Sequence, residues 1–251
     1  VNTYMPKIRI KERPIYYFIP ALIVLTILAV YPILNNVSLS LTNKSGAFSL
    51  ANYQRLFKDK WFWNAMLNTG KWALFTVSME MVVGMTMAFL MNMRLKGQSL
   101  FRSLLIIPWM TPVIAICAVW KWMYNNDFGI LTYAINTAFG THLTFLSDYN
   151  IALYCLGIIY VWKRAPFIML MYLSGMQSIS EDVYEAAELD GCRGFKRLTQ
   201  ITLPLLFPII RSLMLISLIS SFNQFTIVHT ITGGGPARST MVIQNYIYNN
   251  G

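Results

Sequence analysis

Residues 15–40 read IYYFIPALIVLTILAVYPILNNVSLS and contain no charged side chain. A helix needs roughly 20 apolar residues to cross the hydrocarbon core of a bilayer. Four more apolar segments follow, at 66–92, 103–124, 150–178 and 203–229. Lipid cannot hydrogen-bond an open backbone, and the alternation typical of a transmembrane barrel is absent. The sequence therefore predicts an all-α, polytopic transmembrane helical bundle with about five spans.

Composition agrees with a membrane protein. The chain is 56% hydrophobic and 12% charged, whereas a soluble domain carries about a quarter charged residues. The net charge of +10 would suit nucleic acid, but the basic residues are scattered between apolar runs and form no basic stripe. Cys117, Cys155 and Cys192 lack metal-ligand or disulfide spacing, so no metal site is expected. His142 and His229 have no partner motif and are interpreted as surface or satisfied histidines.

The distribution of Lys and Arg predicts the orientation. The connections on one side hold ten of these residues and those on the other side hold five, and cytoplasmic connections carry the excess. The first group is Lys7, Arg9, Lys11, Arg13, Arg94, Lys96, Arg102, Arg193, Lys196 and Arg197, and the second is Lys44, Arg55, Lys58, Lys60 and Arg238. The N-terminus is therefore expected in the cytoplasm.

The chain ends also carry predictions. The basic stretch from Lys7 to Arg13 precedes a long apolar run without a small-residue cleavage site, which is not the pattern of a signal peptide. We expect residues 1–14 to be a cytoplasmic arm and 15–251 a single transmembrane domain. The tail 230–251 lies outside on this topology, and a sixth span is expected after Gly251.

The segment 178–208 reads SISEDVYEAAELDGCRGFKRLTQITLPLLFP. Ser178 and Glu181 have the spacing of a capping box, with Ser180 as the competing N-cap. Gly191 can end a helix in the left-handed conformation, and Pro204 suits the start of the next helix. The pattern predicts a short amphipathic helix within a cytoplasmic segment, 179–202. An ordinary acidic surface turn between two spans is the alternative.

The same segment resembles a known signature. Glu185-Ala186-Ala187, then Asp190-Gly191 and Ile201-Thr202-Leu203-Pro204, are similar to the EAA motif of ABC importer permeases. Three further stretches resemble the carbohydrate branch, of the maltose and glycerol-phosphate type: Trp162-Lys163 with Pro166-Phe167, Phe222 to Phe225, and Thr232-Gly233-Gly234-Gly235-Pro236. The resemblance covers nearly the whole chain, with its specific motifs in 160–245.

This resemblance implies a permease subunit of an ATP-driven, binding-protein-dependent sugar importer in the bacterial inner membrane, with the type I permease fold and six spans. It implies a coupling helix over 181–192 that docks on the ATPase through Glu181, Tyr184, Glu185, Ala186, Ala187, Asp190 and Gly191. The implied partners are a second, homologous permease in a heterodimer, two ABC ATPase subunits, an external sugar-binding protein and membrane lipid.

No enzymatic activity is expected of this chain. A phosphate-binding loop needs G-x-x-x-x-G-K-[ST] between a strand and a helix, and that pattern does not occur. The Gly233–Pro236 stretch is interpreted as a tight external turn instead. ATP and Mg are therefore expected on the partner ATPase, and this chain is expected to hold no cofactor.

Charged residues within the spans suggest a path or an ion pair. Glu80 lies halfway along 66–92, and Lys163 and Arg164 lie halfway along 150–178, so Glu80 could pair with either cation. Intramembrane charges usually face a partner or a water-filled path. If Arg164 faces the path, an acidic sugar such as a uronate oligosaccharide becomes a candidate. A structural ion pair, or a helix tilt that moves the charges towards water, is the alternative.

The fifth span carries a polar stripe. Ser217, Ser221 and Gln224 share one helix face. Polar side chains also join helices in membranes, which is the alternative to a sugar site. Sugars are held by hydroxyl and amide groups beside an aromatic plane. The hypothesised substrate path is Trp162, Lys163, Arg164, Ser221, Phe222, Asn223 and Gln224.

Three competing functions fit less well. A secondary transporter with Glu80 as its proton site would need paired inverted halves, and the EAA-like segment would be unexplained. An intramembrane enzyme would need a catalytic constellation, and the sequence has no HExxH motif and no Ser/His or Asp dyad at a plausible depth. A permease for amino acids or metals is disfavoured by Gly233–Pro236 and by the Trp162 to Phe167 segment.

Overall fold

The computed structural model describes residues 15–43, 45–93 and 96–250. The expected cytoplasmic arm 1–14 and the counted basic residues Lys44 and Arg94 lie outside these ranges. The described residues form two compact units, one up to Lys60 and one from Trp61 onward, and each is described by itself. The prediction of one transmembrane domain over 15–251 stays a prediction.

The first unit contains one apolar helix that is long enough to cross a membrane, from Tyr17 to Ser40. A π-helical turn lies in the middle of this helix, just before Pro32, which cannot donate a backbone hydrogen bond. The helices are α1 (Ile15–Leu25), the π-turn (Thr26–Val30), α2 (Tyr31–Ser40) and α3 (Ala51–Lys58). The side-chain amide of Asn52 in α3 donates to the carbonyls of Ser40 and Thr42, which fixes α3 to the end of α2.

The described part of the second unit consists of helices and the loops that connect them. Its elements are α4 (Lys60–Asn92), α5 (Gln98–Met110), α6 (Val113–Met123), α7 (Ile130–Phe139), α8 (Ala152–Gln177), α9 (Glu181–Leu189), α10 (Gly194–Arg197), a π-turn (Leu198–Thr202), α11 (Leu203–Phe222), α12 (Thr226–Ile231) and α13 (Ile243–Asn250). Helix α4 has 33 residues, which at 1.5 Å per residue gives about 50 Å. It is longer than the bilayer core, so its ends extend beyond the hydrocarbon.

Helix α8 is the centre of the second unit. In its apolar stretch 61% of the residues are buried, compared with 33% in that of α4 and 22% in that of 194–231. It packs against α5 and α11, and buried residues form one cluster around each half of it. Close approach to α4 requires a glycine: a Cβ atom on Gly84 would lie 2.5 Å from Cγ2 of Ile168. Small residues at such contacts are typical of helices packed in membranes.

The third predicted span, 103–124, is not one continuous helix. Helices α5 and α6 meet at Thr111 and Pro112 with a bend of 95°. Thr111 is extended, with φ −72° and ψ 136°, because a residue before proline is disfavoured in the helical region. The Lys163 ammonium group donates to the carbonyls of Trp109, at 3.2 Å, and Thr111, at 2.8 Å. Lys163 therefore satisfies carbonyls that the break leaves without helical partners.

The fifth predicted span, 203–229, has different bounds. The helical path starts at Gly194, passes a π-turn before Pro204 and ends at Ile231. It is interrupted between Phe222 and Thr226, where Asn223 caps α11. Of the polar stretch expected within one helix, Ser217 and Ser221 therefore lie inside α11, whereas Asn223 and Gln224 follow its end.

We expect Lys163→Met to destabilise the chain, because two carbonyls at the α5–α6 break lose their donor. An unsatisfied buried polar group costs about 1–3 kcal/mol, so the midpoint of thermal unfolding in detergent should fall clearly. Lys121→Met is the matched control, since Lys121 is exposed on α6. Equal midpoints for the two variants would show that Lys163 does not hold the break.

Candidate functional site

The short helix α9 follows α8 after only three residues. The predicted capping box does not form: Ser178 has helical backbone angles as the C-cap of α8, and its hydroxyl donates to the carbonyl of Gly175 at 2.8 Å. Ser180, the alternative, is extended and occupies the N-cap position, although no capping side-chain hydrogen bond is present in the described part of the chain. The helix ends at Leu189, three residues before the expected end, and Gly191 has a φ of +73°. The left-handed conformation expected of Gly191 is confirmed.

One face of α9 is fixed to the base of α11. The guanidinium carbon of Arg197 lies 5.4 Å from the centre of the Tyr184 ring. The Tyr184 hydroxyl lies 3.4 Å from Oγ1 of Thr202. Ala187 is buried, and its carbonyl accepts a hydrogen bond from the backbone of Cys192. These contacts connect α9 to the segment that leads directly into α11.

The other face of α9 is open and acidic. The exposed members of the predicted coupling set are Glu181, Glu185, Ala186, Asp190 and Gly191. Two large apolar side chains lie beside them, Leu189 at 90% exposure and Phe195 at 79%. A cavity of about 450 Å³ lies between α9, α10 and the ends of α4 and α8, lined by Asn92, Met176, Glu181, Glu185, Glu188 and Arg197 among others. An exposed surface that mixes acidic and apolar groups suits a protein partner.

A charged pair lies inside the bundle. Glu80 of α4 is fully buried, and its Oε2 atom lies 3.6 Å from Nε of Arg164 in α8. Both carboxylate oxygens and the Nε and Nη2 atoms of Arg164 lack a hydrogen-bond partner among the described residues. Ser217 of α11 is buried in the same region, since Ser221, one turn later, lies 2.9 Å from Thr76 of α4, one turn before Glu80. The structure thus brings three helices together around one carboxylate.

The two adjacent cations of α8 have different partners. Arg164 faces Glu80 and lies against aromatic rings, with its guanidinium carbon 5.3 Å from the centre of the Phe167 ring and 6.0 Å from that of Tyr160. Lys163 points to the break between α5 and α6 instead. Of the two pairings that the sequence allowed for Glu80, the structure contains the one with Arg164.

The polar stripe of α11 divides into two parts. Ser217 and Ser221 are buried, and Oγ of Ser221 lies 2.9 Å from Oγ1 of Thr76 in α4, so Ser221 joins two helices. Phe222 and Asn223 are exposed at the helix end, and Nε2 of Gln224 is buried without a partner in the described structure. Only this second part offers open polar and aromatic groups.

Trp162 lies elsewhere on α8. It is 43% exposed, and its ring contacts that of Trp120 edge-on, with 5.5 Å between centroids. Within residues 15–43, 45–93 and 96–250, no hydrogen bond or ring contact joins Trp162 to Phe222, Asn223 or Gln224. The structure therefore brings Arg164, Glu80 and Ser217 together, but it does not place Trp162 against the end of α11.

Two groups of contacting side chains were not predicted from the sequence. The His229 ring stacks on that of Phe225 at 4.6 Å, and the Tyr248 ring lies 5.0 Å from each. The spacing of Phe225 and His229, four residues apart on a helix, was the available signal. Tyr248 comes from α13, and its contact could not be inferred from spacing.

The second missed group fixes the glycine-rich loop. The side-chain amides of Asn64 and Asn68 in α4 both donate to the carbonyl of Arg238. Gly233 and Gly234 have φ angles of +61° and +94°, which is the left-handed conformation that glycine permits. The loop is therefore a tight turn, as the sequence indicated, and it is held against the first turns of α4, which the sequence did not indicate.

Comparison with known proteins agrees with this architecture. Residues 80–251 match the family described as "Binding-protein-dependent transport system inner membrane component". The trehalose/maltose transport system permease protein MalF of Thermococcus litoralis is 30% identical over 256 residues, which cover 99% of this chain and 87% of that protein. The sulfoquinovosyl glycerol transport system permease protein SmoG of Agrobacterium fabrum is 33% identical over 238 residues, which cover 92% and 77%.

The fold is also that of a solved importer. A chain from the crystal structure of a bacterial ABC transporter involved in the import of the acidic polysaccharide alginate superposes with a TM-score of 0.84. The match covers 94% of this chain and 82% of that chain at 20% sequence identity, so it shows the fold. The chain belongs to the inner membrane components of binding-protein-dependent transport systems and has the fold of a type I ABC importer permease.

Proposed function

We propose that the chain is one permease subunit of an ATP-driven importer that receives a sugar or oligosaccharide from an external binding protein. The observation that carries the proposal is the open acidic face of α9, fixed to α11 in a chain whose relatives are sugar permeases. A second, homologous permease completes the path, and two ABC ATPase subunits bind ATP and Mg. The chain lies in the bacterial inner membrane with its N-terminus in the cytoplasm.

The coupling step is carried by α9. Its open face, with Glu185, Ala186 and Asp190, docks on the ATPase. Its fixed face, with Tyr184 and Ala187, passes the displacement to the base of α11. Closure of the ATPase dimer on ATP moves this helix, and the spans rotate between inward-open and outward-open states. Each state has its own contacts at α9, which is what a nucleotide-driven shift in population requires.

The sugar path runs along α4, α8 and α11. Arg164 of α8 and the end of α11, with Phe222, Asn223 and Gln224, supply its polar and aromatic groups. Lys163 does not, because its ammonium group is held at the α5–α6 break. Trp162 and Ser221 belong to the walls, since each contacts a neighbouring helix or ring. The relatives are named for both uncharged and acidic sugars, so similarity leaves the charge of the substrate open.

The pairing of Glu80 argues against a proton-driven mechanism. A carboxyl group that carries protons across a membrane must alternate between two sides and exchange with water. Glu80 is fully buried and faces the guanidinium group of Arg164. This arrangement suits a fixed ion pair better than a proton carrier.

The first test reverses the charge of an exposed carboxylate on α9. In Glu185→Lys, we expect copurification of the ATPase and sugar uptake to fall about tenfold or more, because a misplaced charge at an interface costs several kcal/mol. Asp127→Lys, an equally exposed site in the α6–α7 connection, is the control and should retain both. An ATPase that copurifies equally with both variants would contradict docking at α9.

The second test separates docking from coupling. Tyr184→Ala removes the ring beneath Arg197, so the ATPase should still bind while its stimulation by the binding protein falls about fivefold or more, the size of a coupling free energy of roughly 1 kcal/mol. Tyr184→Phe keeps the ring and loses only the 3.4 Å hydroxyl contact, so it should stay near the parent. The measurement is ATP hydrolysis in proteoliposomes with and without the binding protein. Equal stimulation in the two variants would contradict this role.

A further inference from the structure

The two cations in the middle of α8 both have partners inside the protein. Lys163 donates to two carbonyls at the end of α5. An ammonium group has three donors, so two of them are used there. The C-terminus of a helix carries a partial negative charge of roughly half a unit, which offsets much of the Lys163 charge. Lys163 is thus directed to α5 and not to an anionic ligand.

Arg164 is directed to Glu80. The carboxylate is fully buried, and the Arg164 side chain is 19% exposed. Because Nε and Nη2 of the guanidinium group are buried, only a small part of the group is exposed. Its charge is balanced from within by a carboxylate on a different helix. Arg164, a residue of the hypothesised path, therefore offers a hydrogen-bond donor but little net charge.

We propose that Glu80 determines the substrate specificity of the path: by pairing with Arg164 it withholds a positive charge and makes the path selective for uncharged sugars. This inference rests on the proposed function, since it concerns the charge of the sugar that the path carries. Glu80 acts on the sugar indirectly, by balancing the charge of Arg164.

The physical reason is the cost of moving an anion out of water. A carboxylate or sulfonate on a sugar needs a cation to replace its hydration when it enters a partly dehydrated path. A cation whose charge is already balanced by a buried carboxylate compensates little of the lost hydration. Hydroxyl groups of an uncharged sugar need only hydrogen bonds and an aromatic plane. Removal of Glu80 would free the Arg164 charge and shift the preference towards acidic sugars.

The charge of the path can be measured without knowing the sugar. A reporter cysteine replaces Phe167, one turn from Arg164, in a chain whose native Cys117, Cys155 and Cys192 are changed to Ala. The assembled importer is treated with an anionic and a cationic methanethiosulfonate reagent, and the ratio of the two rates is determined. One unmasked charge within roughly 8 Å should raise the anion-to-cation ratio about fivefold or more in Glu80→Gln.

Two further variants control for misfolding. The double variant Glu80→Gln with Arg164→Gln contains neither charge, and its ratio should return to that of the parent. Glu80→Asp keeps the charge on a shorter side chain, so a smaller rise in the anion-to-cation ratio is expected. An unchanged ratio in Glu80→Gln and in Glu80→Asp would overturn the proposal.

Uptake provides the second readout. Proteoliposomes with the full importer and its binding protein are given maltotriose and the same sugar oxidised to its aldonate. Glu80→Gln should raise the aldonate-to-maltotriose uptake ratio about fivefold or more relative to the parent, in line with one freed charge. A parent that prefers the aldonate would overturn the proposal. A parent that imports no sugar with ATP would instead contradict the proposed function, and the cysteine ratio would still report on Glu80.

Discussion

The second unit depends on how α8 satisfies two adjacent cations in an apolar interior. Buried charges are tolerated only when paired or hydrogen-bonded, and removal of one partner of a buried pair typically costs about 3–5 kcal/mol. Lys163 donates hydrogen bonds to the carbonyls of the break in the third span, and the charge of Arg164 is paired with that of Glu80 in α4. Since adjacent residues on a helix point about 100° apart, these two contacts join α8 to two different neighbours. Helix α8, the most buried of the long apolar helices that the structure describes, is therefore also the one to which α4 and α5 are fixed.

The same helix leads to α9, the proposed coupling helix. α8 ends at Gln177 and α9 begins at Glu181, so a displacement of α9 reaches α8 through three residues. Tyr184 provides a second connection, to Arg197 and Thr202 at the base of α11. A force on one short helix thus acts on two spans at once. With α4 joined to α8 at the buried pair, these spans are suited to move as one body, which is what a path opened alternately to each side requires.

The sequence predicted the apolar segments and the short helix that follows α8, because long apolar runs and an ordered motif are local signals; the coupling role of that helix stays a prediction. It did not predict the 95° bend at Pro112, since proline is tolerated in membrane helices when neighbours satisfy the freed carbonyls, and that neighbour, Lys163, is 52 residues away. Ser178 has the capping-box spacing to Glu181 and Ser180 does not, but α8 extends to Gln177 and uses Ser178 as its C-cap, which leaves Ser180 as the N-cap of α9. Lys163 and Arg164 were equivalent candidates for Glu80, and only the packing of α4 on α8 selects Arg164.

The most direct test of this account is a cryo-electron microscopy structure of the assembled importer in a lipid nanodisc, with its ATPase and second permease. The account predicts that the face of α9 carrying Glu185 lies in the ATPase. It also predicts that Arg164, still paired with Glu80, borders the cavity between the two permeases. A structure in which that face of α9 is free of the ATPase, or in which Arg164 faces lipid, would contradict both the coupling route and the path along α8.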